Sequence, residues 1–131
     1  MESKKAQIAM EFMIIMGAVL FFITIFFAAV QNNTEDKMYQ REAIMVKEIA
    51  LTIQNEINLA SGSIDGYSRI FDIPTKAGNL DYTVNVTEGL VYIKTLNERH
   101  AMAFPVPDTI GDINIPNNTI KKINGEIFLN S

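Results

Sequence analysis

Glu11 stands directly before a long apolar run, and the chemistry it invites is charge pairing rather than bond making. The residues ahead of it read Lys4-Lys5-Ala6-Gln7-Ile8-Ala9-Met10. From Phe12 to Val30 no side chain is charged, and Thr24 is the only polar one. An ionised carboxylate at the mouth of such a segment is costly unless a partner meets it. Gln7 precedes Glu11 by four positions, which puts both on one face of a helix. Other residues capable of chemistry are sparse. His100 is the only histidine and sits beside Arg99, where a structural role is expected. Asp108 and Asp112 lack the alternating acidic spacing of a calcium loop and read as turn residues. With no cysteine there is no disulfide framework, no CxxC redox pair and no thiolate zinc site. No nucleophile, metal or acid–base set emerges, so an enzyme is not expected and no cofactor is implied.

The elements that must position Glu11 are legible from patterning. About 20 apolar residues cross the ~30 Å hydrocarbon layer as a helix, so residues 12–30 read as a span. Lys4 and Lys5 precede it, whereas Gln31 to Asp36 follow it, which predicts a cytoplasmic N-terminus and an exterior remainder. The run is too long for a removable secretory signal and lacks an A-x-A-like exit site. Residues 1–61 contain no proline and one glycine, Gly17, so a single nearly unbroken helix is expected over 7–61. Its second half, about 35–61, carries Met38, Met45, Ile49, Ile53, Ile57 and Ala60 at helical spacing, an amphipathic stripe. The polar stretch Gln31–Thr34 is its weakest section, because Asn-Asn-Thr forms helix poorly. From Gln7 to Ala60 the helix would measure ~80 Å. Ser61-Gly62-Ser63 and Gly66 mark its end.

Within a β-domain expected over 62–131, the period falls to two from Ser68 onward, and all four prolines appear. Leu80, Tyr82, Val84 and Val86 alternate with polar residues as in a half-buried strand. Thr87-Glu88-Gly89 leads into Leu90–Thr95 as a hairpin, and Asn124-Gly125 joins Thr119–Ile123 to Glu126–Leu129 in another. Arg69–Ile73 and Arg99–Phe104 are further strand candidates. The expected fold class is α+β: a long N-terminal transmembrane or filament-core helix, then a small antiparallel β-sheet head. That sheet has five or six strands, one face covered by Met45, Ile49, Ile53 and Ile57. The net charge of −4 argues against a nucleic-acid partner.

The N-terminal pattern resembles the class III signal of archaeal type IV pilin precursors. There a basic pair and a small residue precede glutamine, with serine third, glutamate fifth and leucine ninth. This chain matches through Gln7 and Glu11 behind Lys4, Lys5 and Ala6, and departs with Ala9 for serine, Ile15 for leucine and Ala6 where glycine is commoner. The resemblance implies a leader of residues 1–6 and a prepilin peptidase cut between Ala6 and Gln7. It further implies a pilin or minor pilin assembled by an ATPase-driven platform with copies of itself or related pilins. The subunit would be a single-pass membrane protein before assembly and part of a surface filament afterwards. In the filament, the new α-amine of Gln7 would pair with Glu11 of a neighbour. The alternative is an unpolymerised membrane-anchored accessory protein with an exterior β-domain.

Three Asn-x-Thr sequons, at Asn32, Asn85 and Asn117, fall on the predicted exterior, where N-glycosylation is chemically open to them. Asn85 has the best setting, on the solvent side of a strand near a turn.

Overall fold

The computed structural model describes residues 2–131. Helix α1 runs Glu2–Ser61, followed by strands β1 (Ser68–Asp72), β2 (Tyr82–Thr87), β3 (Leu90–Thr95) and β4 (Ala101–Pro105). Three more strands follow: β5 (Thr109–Ile110), β6 (Asn117–Ile123) and β7 (Glu126–Leu129). The chain divides into two units, one ending at Tyr39 and the other Gln40–Ser131. Helix α1 makes up the described part of the first unit and opens the second.

The first unit is helical from Glu2, so residues 2–6 of the expected leader share the helix that was expected from Gln7. Met1 lies outside the described residues. Helical structure also continues through Asn32-Asn33-Thr34. The Thr34 hydroxyl donates back to the Val30 carbonyl at 2.9 Å, a bond that a threonine inside a helix can make.

In the second unit one cluster forms the core. Helix α1 contributes Val46, Ile49, Ala50, Ile53, Ile57 and Ala60. The expected stripe is therefore corrected at its start: Met38 and Met45 stay largely exposed, while Val46 and Ala50 turn inward. Spacings of three and four from Val46 through Ala60 keep one face inward for four turns. Against that face lie Phe71, Ile120, Ile127 and Leu129 from one sheet, and Tyr82, Val84, Val86, Val91 and Ile93 from another.

Two sheets replace the single one expected. One has the order β1-β6-β7-β5 and the other the order β2-β3-β4. All pairings are antiparallel except β5 with β7, where Thr109 and Ile110 run parallel to Ile127 and Phe128. The glycine after β5 explains how so short a strand docks. Gly111 has φ +111°, and a Cβ there would stand 2.1 Å from the Leu129 carbonyl oxygen, so only glycine admits this approach. Both expected hairpins form. In the first, Glu88 and Gly89 have φ of 52° and 74°; in the second, Asn124 and Gly125 have 51° and 82°. Consecutive left-handed residues make the two-residue turn that matches strand twist.

Polar side chains fasten the strands to the helix. Lys122 Nζ donates to the Ser61 and Ser63 carbonyls at 2.7 and 2.8 Å, satisfying acceptors at the helix end. Gln54 Nε2 donates to the Pro105 carbonyl at 2.8 Å, and Arg69 Nε lies 3.5 Å from Glu56 Oε2. Asn118 is buried inside this unit and fully engaged. Its Oδ1 accepts from the Asn114 amide at 2.7 Å and from Asn130 Nδ2 at 2.8 Å, while its Nδ2 donates to the Asn114 carbonyl at 2.7 Å.

Candidate functional site

The N-terminal half of α1 brings together the residues singled out for pairing. Gln7 Nε2 donates to Glu11 Oε1 at 3.2 Å, the one-turn contact that their spacing predicts. Lys4, Lys5 and Ala6 occupy the preceding turn and are exposed, as are Gln7 and Glu11 themselves. The carboxylate is thus presented at the surface, held by a neutral amide, and open to a cation from outside.

Beyond Glu11 the surface is apolar on every side. Every residue from Phe12 to Val30 is exposed. Phe12, Phe21, Phe22, Phe26 and Phe27 are each at least 60 % accessible. The one polar side chain in the run is satisfied internally, since the Thr24 hydroxyl donates to the Leu20 carbonyl at 2.8 Å. A helix apolar all round belongs in lipid or among other helices. Covering five phenylalanines is worth on the order of 10 kcal/mol, too much to leave in water. By length and composition α1 is able to cross a membrane.

His100 is buried, and its Nε2 lies 3.2 Å from Glu42 Oε2, with Arg99 Nη1 at 3.8 Å from the same oxygen. The sequence pointed to His100 as structural but gave no sign of Glu42, which lies 58 positions away. A cleft of about 390 Å³ lies between α1 and the 74–78 loop, lined by Met45, Ile49 and Pro74 with Glu48 and Lys76. Thr52 also lines this cleft, and its hydroxyl donates to the Glu48 carbonyl at 2.8 Å. Among the described residues, no three His, Cys, Asp or Glu side chains gather in a metal-binding arrangement. Asp108 and Asp112 flank β5; the Asp112 backbone carbonyl accepts from Asn130 Nδ2 at 2.7 Å.

The sequons fall in three different settings. Asn32 lies on α1, Asn85 on the outer face of β2, and Asn117 at the first position of β6; all three are exposed. Compared with known proteins, no family model matches this chain, nor does any curated protein or solved structure.

Proposed function

We propose that this chain is a type IV pilin-like filament subunit, processed between Ala6 and Gln7 and assembled through its N-terminal helix. The observation that carries the reading is Glu11 held at the surface by Gln7, directly before nineteen exposed residues with no charge. A prepilin peptidase would reach the small residue Ala6 from the cytoplasmic side, where Lys4 and Lys5 hold the leader. Cutting there frees a cationic α-amine on Gln7. In a bundle of these helices that amine meets Glu11 of a neighbour, and each neutralises the other in an apolar surrounding. A neighbour shifted by a turn would leave both charges unpaired, at a cost of several kcal/mol. Charge pairing therefore sets register. The exposed phenylalanines supply the contact, exchanging lipid for other helices through packing. The β-domain of residues 62–131 then forms the outer surface of a cell-surface filament.

Replacing Glu11 by glutamine tests the pairing step. Glu11→Gln keeps the side-chain shape and the apolar run, so membrane insertion and cleavage continue. Incorporation into sheared filaments is expected to fall at least tenfold, as loss of about 1.4 kcal/mol per contact requires. Filaments at wild-type yield would overturn the mechanism. The protein accumulating uncut in membranes would favour the anchored, unpolymerised alternative.

A further inference from the structure

We infer that Asn85 is a carbohydrate acceptor and that the first sugar attached to it lies on the ring of Tyr92. The inference rests on the reading that residues beyond about 30 lie outside the membrane. Three features separate Asn85 from the other two sequons.

The first is the relation of amide to hydroxyl. In a strand, residues two apart share a face, so Asn85 and Thr87 both point outward from β2 while Val84 and Val86 are buried. A transferase that grips both groups meets them together. On α1, residues two apart point about 200° away from each other. There the Thr34 hydroxyl is also already committed to the Val30 carbonyl.

The second is access. Strand β2 is at the edge of its sheet and pairs only with β3. Asn117 and Thr119 also share an outer face, but β6 lies between β1 and β7. The Thr119 N–H further donates to Asn130 Oδ1, and its carbonyl accepts from the Asn130 N–H, both at 2.8 Å. Drawing that segment into an enzyme breaks two ladders, whereas drawing out β2 breaks one.

The third is what lies alongside. Asn85 stands directly opposite Tyr92 on β3, and Tyr92 opposite Ala103 on β4. The next row is Thr87, Leu90 and Pro105. Tyr92 and Leu90 are 43 % and 44 % exposed, so a small apolar platform lies to one side of the amide. The C–H face of a pyranose ring is weakly positive and fits the negative face of an aromatic ring. Opposite Asn117 stands Asp72, which offers no such surface.

The donor required is an oligosaccharide linked to a polyprenyl phosphate or pyrophosphate, used by a membrane oligosaccharyltransferase. Asn85 Nδ2 forms a bond to the anomeric carbon and gives up one proton. The bond from that carbon to the phosphate oxygen breaks, and its electron pair leaves with the lipid phosphate.

The test uses the full chain produced in cells whose envelope carries an N-glycosylation pathway. Glycopeptide mass spectrometry is expected to find carbohydrate on Asn85. Asn85→Gln and Thr87→Ala should each remove it, and Thr87→Ser should retain it. Enzymatic deglycosylation should lower Tm by about 3 °C in the wild type and leave the Tm of Tyr92→Ala unchanged. An equal loss in both would overturn the stacking on Tyr92. Because the chain has no cysteine, Thr83→Cys labelled by a membrane-impermeant maleimide reports independently on placement. Labelling at residue 83 with Asn85 bare, or with carbohydrate on Asn32 or Asn117 instead, overturns the assignment while leaving the membrane reading intact. Failure to label in intact cells overturns the exterior placement and the assignment with it.

Discussion

His100 Nε2 lies 3.2 Å from Glu42 Oε2, a contact that ties the start of β4 to the helix across 58 positions of sequence. Both side chains are largely buried, at 3 % and 15 % exposure, and Arg99 approaches the same carboxylate oxygen. Removing one partner from such a contact costs more than the contact itself is worth, because a polar group stays behind in a poorly solvated place. Glu42→Ala is therefore expected to destabilise the β-domain by about 2 kcal/mol. A double-mutant cycle with His100→Gln should return a coupling of about 1 kcal/mol. Additive losses in thermal melts of the solubilised protein would show that the two side chains act separately.

Asn118 is expected to be the least replaceable polar residue of the core. Its amide serves the Asn114 N–H, the Asn114 carbonyl and Asn130 Nδ2 at once. Asn118→Leu keeps the branched shape but leaves those groups without their partner, at a cost of about 3 kcal/mol. The loss should appear in thermal melts, and amide exchange should quicken first along β6 and β7.

Alkaline stability should report on Tyr82. Burial raises the pKa of this phenol from 10.0 to about 12, and its hydroxyl donates to the Pro74 carbonyl. Since the folded state holds the proton more tightly, stability is intact below pH 10. It falls as pH climbs towards about 12, because the unfolded phenol ionises first. Tyr82→Phe should lose about 1 kcal/mol at neutral pH through the missing hydrogen bond, and its decline above pH 10 should be shallower. Equal slopes for the two proteins would contradict this.

Much of the fold is legible in the residues themselves, and the gaps have physical reasons. Period-two burial at Tyr82, Val84 and Val86, and the left-handed pairs Glu88-Gly89 and Asn124-Gly125, are local properties that a short window contains. Helix α1 is legible from its lack of proline, though not the choice of Val46 and Ala50 over Met45 for the core. That choice depends on where the sheets approach, which periodicity alone does not specify. Nor does periodicity say which strands pair, so the division into two sheets was hidden. Strand β5 is not legible, because two residues carry no pattern; it exists through the close passage of Gly111 over Leu129. At the N-terminus, Gln7 and Glu11 are four apart and meet as that spacing predicts. The role of Glu42 is not legible locally, because its partners Arg99 and His100 lie far along the chain.

The central claim, that the subunit is cut before Gln7 and built into a filament, is tested most directly by intact-mass and N-terminal peptide analysis of the sheared surface fraction. Cleavage before Gln7 predicts chains that begin there with a free α-amine, and few that keep Lys4 and Lys5. Chains recovered from filaments with Glu2 to Ala6 still attached would contradict it, because Gln7 would then offer no cation for Glu11 to meet.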